Sequence, residues 1–176
     1  MILPLIYYDD PILRKKALII EEISEEIHQL AKDMIKAMIH YNGVGLAAPQ
    51  VGQLLRIFVI RDELTKPDGT YYLGPPEVII NPIMSDPSPE MVLMPEGCLS
   101  IPYVHHDIIR PSEIHVSYQT LEGQFVEEDL SGFRARVFMH ENDHLNGVLF
   151  FDRMTPEGRR KIDSHLRAVK KKYRKK

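Results

Sequence analysis

Apolar residues recur every three or four positions between residues 24 and 41, a spacing that predicts an amphipathic helix. Ser24, followed by acidic residues, is typical of a helix start, and Asn42-Gly43 is typical of a helix stop. The apolar positions are Ile27, Leu30, Ala31, Met34, Met38 and Tyr41. Because they form one stripe, we interpret them as core packing rather than as a cofactor site.

Four later stretches have the alternation and the residue types of β-strands. They are residues 54–60, 78–81, 114–120 and 124–127. The last two are separated by Leu121-Glu122-Gly123, which predicts a hairpin. Residues 62–76 are rich in proline, glycine and charged residues, so we predict a surface loop there.

Two further helices are predicted after these strands. Leu130-Ser131-Gly132 has the composition of a helix start and Asn146-Gly147 that of a stop. The last helix begins at Thr155-Pro156-Glu157 and carries an apolar stripe, formed by Ile162, Leu166 and Val169. Strands followed by helices predict an α+β fold, with antiparallel β-sheets packed around the first of these helices and a basic helix at the C-terminus.

The length and the charge distribution of the chain predict one compact domain with a basic C-terminal segment. The chain has 176 residues, 44% of them hydrophobic, which is enough for a sizeable core. Residues 153–176 contain eleven Lys or Arg and two acidic residues, a formal charge of +9. Since the whole chain carries −3, the remainder carries −12. Such a segment is either a solvated terminus of the same domain or a surface that binds RNA electrostatically, and the sequence leaves both open.

The chain has a single cysteine, Cys98, which excludes an intramolecular disulfide. Nothing near Met1 resembles a signal peptide, and no stretch approaches the roughly 18 consecutive apolar residues of a membrane helix. Both observations fit a reducing cytoplasm. A processed organellar protein would look the same, since a removed transit peptide leaves no trace.

The first of the two later helices contains the most informative segment, His140-Glu141-Asn142-Asp143-His144. Residues four apart lie on one helix face, so both imidazoles can reach a single divalent cation. Glu141 lies at the edge of that face, where a carboxylate can take a proton from a metal-activated water. The motif also arises by chance on solvated helices, but Phe133 and Val137 precede it at helical spacing and make this face apolar.

A catalytic metal site of this kind usually has three protein ligands and one open position. Metzincin proteases have a further histidine where this chain has Phe150, and thermolysin-like enzymes have a downstream glutamate, for which Glu157 is poorly placed. Cys98 is the better candidate, because a thiolate is a strong ligand for iron or zinc. A lone cysteine can equally be a small buried apolar residue.

A third segment, Gly43-Val44-Gly45-Leu46-Ala47-Ala48-Pro49-Gln50, changes this balance. Together with Glu96-Gly97-Cys98-Leu99-Ser100 and the histidine segment, in that order, it resembles the signature segments of the peptide deformylases. The resemblance extends from Asp10-Pro11-Ile12-Leu13-Arg14 to Phe151-Asp152-Arg153, which is nearly the whole chain. Without it, the two glycines of the third segment indicate only a tight turn or one wall of a cleft.

The resemblance implies a hydrolase. Residues 1–152 would form the catalytic domain, which removes the formyl group from the formyl-methionine of new polypeptides and releases formate. The metal ligands by similarity are Cys98, His140 and His144. Fe²⁺ is the implied ion, and Zn²⁺, Ni²⁺ and Co²⁺ are substitutes that the same donors accept.

The resemblance also implies roles for other residues. Glu141 would act as general base and then as general acid. Gln50 and the backbone N–H of Leu99 would donate to the developing oxyanion, and Gly45 would lie in the adjacent wall of the catalytic site. An apolar pocket would accept the methionine side chain, and its residues would be Val44, Met94, Phe133 and Val137. Some bacterial deformylases use a basic C-terminal helix on the ribosome, which implies ribosomal RNA as a partner here.

Three positions depart from the family pattern, one of them Met139, which replaces the commoner Gln before His140. After Ile101-Pro102 the family commonly has Gly and, two residues later, Arg, where this chain has Tyr103 and His105. We expect an altered cleft rim and an unchanged metal chemistry. We also expect Asp143 to pair with Arg110 and orient the ligand helix, although an ordinary surface ion pair would explain the same residues. The alternative functions are a zinc peptidase that uses the same helix and a binding module without catalysis.

Overall fold

The computed structural model describes residues 2–173, which form two antiparallel sheets and three α-helices. The strands are β1 (Gly45–Ala47), β2 (Ile57–Thr65), β3 (Tyr71–Ser85), β4 (Met91–Cys98), β5 (Ile101–Pro111), β6 (Glu113–Gln119) and β7 (Phe125–Ser131). The helices are α1 (Glu25–His40), α2 (Gly132–Leu145) and α3 (Pro156–Tyr173), and short 3₁₀ segments span Pro11–Arg14, Ala48–Val51 and Phe150–Arg153. The larger sheet has the order β1-β2-β3-β6-β7, and β4 pairs with β5. This confirms the predicted α+β class.

Helix α1 forms where the periodicity predicts it. Ser24 is its N-cap and Tyr41 its C-cap. Its buried stripe packs into one apolar cluster with residues of the larger sheet, such as Val59 and Ile80. The interpretation of this stripe as core packing is therefore confirmed.

Helix α2 is buried along most of its length, from residue 135 to residue 145. Phe138 packs edge-to-face on Phe58 of β2, with the ring centroids 5.1 Å apart. The helix ends before Asn146-Gly147, as predicted. Gly147 has φ 71°, and a Cβ there would lie 2.4 Å from the carbonyl oxygen of Arg14, so only glycine fits.

The prediction of a surface loop at residues 62–76 is wrong. These residues form the end of β2, a turn and the start of β3, with Leu64 paired to Tyr72 and Thr65 to Tyr71. Strand pairing uses backbone hydrogen bonds, so charged and exposed side chains do not prevent it. Only the turn at residues 66–70 keeps the predicted loop character, and it closes with a hydrogen bond from Lys66 N to the carbonyl oxygen of Thr70.

Strands β4 and β5 were not predicted, because proline and glycine interrupt their pattern. Their register also shifts: Cys98 pairs with Ile101, whereas the preceding Gly97 pairs with His105. Residues 102–104 therefore bulge out of the ladder beside Cys98. This irregular end of the small sheet forms one side of the functional cleft.

Helix α3 confirms the predicted C-terminal helix. Thr155 Oγ1 accepts a hydrogen bond from Gly158 N at 3.1 Å. The predicted stripe is buried in a cluster with Val104 of β5 and Phe151. Residues 174–176 of the predicted basic tail lie outside the described residues. Within residues 2–173, no helix combines the length and the apolar character needed to cross a membrane.

Candidate metal centre and substrate cleft

A cleft of about 550 Å³ brings together segments that are far apart in the sequence. The small sheet contributes one side through β4 and the bulge that follows it, and α2 and the segment around β1 contribute the other. Sequence-predicted residues that line the cleft are Val44, Gly45, Gln50, Cys98, Leu99, Phe133, Val137, His140 and Glu141. The cleft therefore collects most of the residues to which the resemblance gives a role.

Cys98, His140 and His144 form one cluster of donor atoms. Their sulfur and ring nitrogens lie within 4.8 Å of one another. Helix α2 places the two imidazoles one turn apart, and Sγ of Cys98 is 3.2 Å from Nε2 of His144. Cys98 reaches the helix because it ends β4 just before the tight turn into β5. One thiolate and two imidazoles are a donor set that binds iron or zinc.

The surroundings of this cluster fit a bound cation. Metal-binding histidines usually donate their second ring N–H to an acceptor, and Nδ1 of His140 lies 2.9 Å from Oε2 of Glu96. Among the described residues, Oε2 of Glu141 and Nδ1 of His144 are buried without a hydrogen-bond partner. A carboxylate oxygen that is buried and unpaired can accept a proton from a water molecule at the cluster.

Burial acts on the protonation of both histidines. It lowers the pKa of His144 well below its usual value, which keeps this imidazole in the neutral form that binds metals. Burial also opposes the charged form of His140, but hydrogen bonds with Cys98 and Glu96 outweigh it and raise the pKa of this histidine. A cation would compete with that proton for the same ring.

Glu96 is the centre of a buried ion-pair network. Arg110 donates to its two oxygens, from Nε at 2.6 Å and from Nη2 at 2.9 Å, and Arg136 Nη1 donates at 3.0 Å. Burial would raise the pKa of Glu96, but the hydrogen bonds from Arg110 and His140 hold it well below its usual range. No role was predicted for Glu96, whose one local signal is its position two residues before Cys98.

The predicted link between Asp143 and Arg110 is present. Nη1 of Arg110 donates to Oδ2 of Asp143 at 2.8 Å, and both side chains are buried. Arg153 donates to the same oxygen from Nε at 2.6 Å. The pair is therefore a buried tie between α2, β5 and the segment before α3, and the alternative of a surface ion pair is wrong.

Glu141 occupies space that the backbone of β1 leaves free. A Cβ on Gly45 would lie only 2.3 Å from Oε1 of Glu141, so the carboxylate can hold this position only beside a glycine. Burial raises the pKa of Glu141 to about 7. A cation at the neighbouring cluster would lower this pKa again. The close approach of Glu141 therefore explains why residue 45 is a glycine, which the sequence motif alone does not explain.

The side-chain amide of Gln50 is held in one orientation. The backbone N–H of Ala47 donates to Oε1 at 2.8 Å, which turns Nε2 towards the cleft. Nε2 lies 3.4 Å from Sγ of Cys98 and 3.2 Å from Oγ of Ser100. Gln50 is buried, so its donor group is fixed next to the candidate metal ligands.

Not every residue expected in the apolar pocket lies there. Met94 is not among the described residues that line the cleft, and it pairs with Ile108 across the small sheet. The cleft instead includes residues near both ends of the chain and at the end of α1, which the sequence did not place there, and it includes Tyr103 of the bulge and the adjacent His105, which were expected at its rim. The residues that were not expected include Leu5, Tyr7, Tyr41 and Tyr173.

Comparison with known proteins agrees with this geometry. A family model described as polypeptide deformylase matches residues 2–160. The peptide deformylase of Thermotoga neapolitana is 42% identical over 167 residues, which cover 95% of this chain and 96% of that protein. A crystal structure of a plant peptide deformylase aligns with a TM-score of 0.88 and 37% identity, over 97% of this chain and 90% of that chain. Class I type b peptide deformylase from Acinetobacter baumannii, with Met-Ala-Ser bound, aligns with a TM-score of 0.80 and 36% identity, over 88% and 99% of the two chains.

Proposed function

Because the chain belongs to the peptide deformylase family, we propose that it removes the N-formyl group from the formyl-methionine of new polypeptides and releases formate. The observation that carries this proposal is the convergence of Cys98, His140 and His144 beside the unpaired oxygen of Glu141. Three metal-binding donors and a free carboxylate suit the hydrolysis of an amide. The family name specifies which amide, since a deformylase hydrolyses the formamide at the N-terminus of a peptide.

Cys98, His140 and His144 would hold one divalent cation, which we propose to be Fe²⁺, with Zn²⁺, Ni²⁺ or Co²⁺ as substitutes for the same donors. Bound there, the cation would supply Lewis acidity that makes a water in the cleft nucleophilic near neutral pH. Glu96 would hold the ring of His140 in place through Nδ1. Iron would be supported if activity is lost in air and is retained after replacement of the ion by Ni²⁺.

Three groups of this chain would then act on the formyl group. Glu141 takes the proton of the attacking water and gives it to the amine nitrogen as the formyl C–N bond breaks. Gln50 Nε2 and the backbone N–H of Leu99 donate to the formyl oxygen as it gains negative charge. The fixed amide of Gln50 supports this role, since a donor that is already oriented costs no reorganisation.

The apolar part of the cleft would bind the methionine side chain. Val44, Phe133 and Val137 line it, and Met94 is less well placed because it lies outside the lining. The related Acinetobacter enzyme binds Met-Ala-Ser, which is the deformylated form of formyl-Met-Ala-Ser. Apolar contacts select methionine only moderately, since one methylene in such a pocket contributes about 1–3 kcal/mol.

The test of this function is anaerobic turnover of formyl-Met-Ala-Ser with the metal content measured on each sample. We expect the wild type to release formate. Glu141→Ala should keep its metal and lose about 10²-fold or more in kcat, whereas Cys98→Ala should lose the metal. Glu122→Ala, an exposed glutamate in the β6–β7 hairpin, is the matched control. A fully metallated wild type that releases no formate would contradict the proposal.

A zinc peptidase that uses the same helix finds no support in the comparisons. The donor set also differs, because the third donor is the thiol of Cys98 rather than a downstream histidine or glutamate. The same samples test this alternative, since a peptidase would cleave an internal amide of an unformylated peptide.

We further propose that the outer face of α3 binds ribosomal RNA. Three basic residues of this face are exposed at intervals of seven and four positions: Arg160, Arg167 and Lys171. Other basic residues are engaged by the protein, such as Arg159 over the ring of Phe151 and Lys170 with Asp9. A stripe of free cations on a chain with an acidic remainder is suited to phosphate contacts. Such a partner and a single reduced cysteine both fit a cytoplasmic enzyme.

Co-sedimentation with ribosomes across a salt series tests the RNA surface. Replacement of Arg160, Arg167 and Lys171 by alanine should weaken binding and flatten its dependence on salt, because each lost phosphate contact removes counterion release. The matched control exchanges Lys and Arg at the same three positions and should keep the binding. Equal binding by the alanine variant would contradict the proposal, and its turnover of formyl-Met-Ala-Ser should stay unchanged.

A further inference from the structure

The bulge beside the metal-binding cysteine holds a bulky residue in a left-handed backbone conformation. Tyr103 has φ 67°, whereas side chains other than glycine rarely adopt positive φ. It lies within residues 102–104, which β5 accommodates between the pairs Cys98↔Ile101 and Gly97↔His105. Its side chain is exposed (76%) and lines the cleft. A residue in a strained backbone conformation with an exposed side chain contributes little to the stability of the fold. Such strain is typical of functional sites, so we consider a functional role for the tyrosine ring.

Lys172 lies over this ring and links it to a stacked pair of tyrosines that also line the cleft. Tyr7, near the N-terminus, stacks on Tyr173 at the end of α3, with the ring centroids 3.9 Å apart and the planes at 17°. Nζ of Lys172 lies 5.2 Å from the ring centroids of both Tyr103 and Tyr173. We call Tyr7, Tyr103, Lys172 and Tyr173 the tyrosine rim. Cation–π contacts and stacking hold its rings in place before any ligand arrives.

We propose that the tyrosine rim binds the side chain of a residue that follows methionine in the substrate, and that it selects aromatic side chains there. This inference rests on the proposed deformylase function and extends it to the peptide beyond methionine. The three tyrosines of the rim line the same cleft as Glu141, so a chain that leaves the reaction centre passes them. An extended peptide advances about 3.3 Å per residue, which brings the first few residues after methionine to the mouth of the cleft.

The chemistry of the rim sets the selectivity. Tyrosine rings gain from offset or edge-to-face contact with another aromatic ring in addition to the area that is buried. The ammonium group of Lys172 disfavours a lysine or arginine of the substrate at the same place. The rim therefore favours aromatic side chains over alanine and disfavours basic ones.

A peptide series tests this inference on the metallated full-length enzyme. The substrates are formyl-Met-Ala-Ala-Ala and versions with Phe or Lys at the second, third or fourth position. We expect Phe at one position or more to raise kcat/KM about two- to tenfold over Ala, as an additional aromatic pair would. Lys at the same position should lower kcat/KM, and this penalty should diminish at high salt.

Variants of the rim then separate recognition from folding. Tyr103→Gly should abolish the preference for Phe and raise the temperature of unfolding, because glycine adopts φ 67° without strain. Tyr103→Phe should retain the preference, since it keeps the ring. The matched control Tyr71→Gly removes another exposed tyrosine, in β3 and outside the cleft lining, and should leave the preference unchanged. Lys172→Ala should remove the penalty on Lys peptides, whereas the neighbouring Lys171→Ala should not.

The outcomes distinguish this inference from the function on which it rests. Equal kcat/KM for Ala, Phe and Lys peptides would overturn the tyrosine rim and leave the deformylase function intact. A Phe preference that survives in Tyr103→Gly would also overturn it. A metallated wild type that releases no formate from any peptide would overturn both.

Discussion

At Gly45 the candidate site depends on the absence of a single carbon atom. A Cβ there would lie 2.3 Å from Oε1 of Glu141, but the clash is with the end of a flexible side chain. We therefore expect Gly45→Ala to fold, to bind metal and to displace the carboxylate. Since a displacement of about 1 Å in a reacting group can cost about 10²-fold, kcat should fall by at least that factor.

Steady-state turnover of formyl-Met-Ala-Ser, with a thermal unfolding curve of the same sample, measures this effect. Gly69→Ala is a useful control, because Gly69 has φ 82° in the turn between β2 and β3 and has nothing within 4 Å of its Cβ position. It should lower stability without changing turnover. A Gly45→Ala variant with full kcat would mean that Glu141 is not the proton carrier.

Glu96 matters for a different reason, because its buried carboxylate has several partners at once. Glu96→Gln would leave the buried Arg136 without its counter-charge and would leave Arg110 with Asp143 as its remaining acidic partner. Breaking a buried pair in this way destabilises by about 3–5 kcal/mol. Glu77→Gln breaks a similar bidentate ion pair, with Arg134, at a partly exposed site. It should lower the free energy of unfolding by about 1 kcal/mol or less. Urea denaturation of the two variants measures the difference, and equal losses would contradict the importance of the Glu96 network.

The two histidines are site residues that a local sequence pattern identifies. His140 and His144 are one helical turn apart, so their common face follows from spacing alone. Cys98 is 42 positions from His140, so the two were connected by the ligand chemistry of a thiolate and by the family resemblance rather than by spacing. Glu96 and Tyr7 have no local pattern, because their contacts are created by the fold.

The same distinction holds for whole elements. Helices α1 and α2 begin and end where caps and periodicity predict, and α3 begins where Thr155-Pro156-Glu157 predicts, since those signals lie in or beside the helix itself. Strands β4 and β5 were missed because their prolines and glycines are typical of turns. The two strands nevertheless pair with each other, and a bulge takes up the shift in their register. The turn after Cys98 is thus the part of the site that sequence reasoning describes least.

Helix α3 is part of the core, and its removal would do more than delete charge. Leu166 is buried against residues such as Val104, and Leu166→Ala should destabilise by about 2–5 kcal/mol through the lost contacts and the cavity left behind. The adjacent Arg167→Ala is exposed and should change stability by about 0.5 kcal/mol or less. Chemical denaturation measures both, and a tolerant Leu166→Ala would mean that α3 docks loosely. Truncation of α3 is consequently a poor test of RNA binding, and charge replacement on its surface is the better one.

At the scale of the whole molecule, both ends of the chain converge on the cleft. Tyr7 and Tyr173 stack on each other, and Tyr8 packs edge-to-face on Phe151. The candidate metal donors lie on α2 and on the small sheet, and the buried contacts of Arg110 with Glu96 and Asp143 join these two elements. A cation at the donor cluster would therefore connect the same two parts of the fold, and its binding should be visible as global stability.

Removal of the metal is the prediction that follows. A ligand that binds only the folded state stabilises it by RT ln(1 + [L]/Kd), about 4 kcal/mol at a thousandfold excess over Kd. Chelation should lower the unfolding temperature of the wild type, and addition of Fe²⁺ under anaerobic conditions, or of Ni²⁺, should restore it. In Cys98→Ala the unfolding temperature should not respond to either treatment, because one of the three donors is missing. A wild type that unfolds at the same temperature with and without metal would show that the cluster does not hold a cation tightly. A response that is seen in the wild type and absent from Cys98→Ala would assign the stabilisation to Cys98, His140 and His144 without relying on activity.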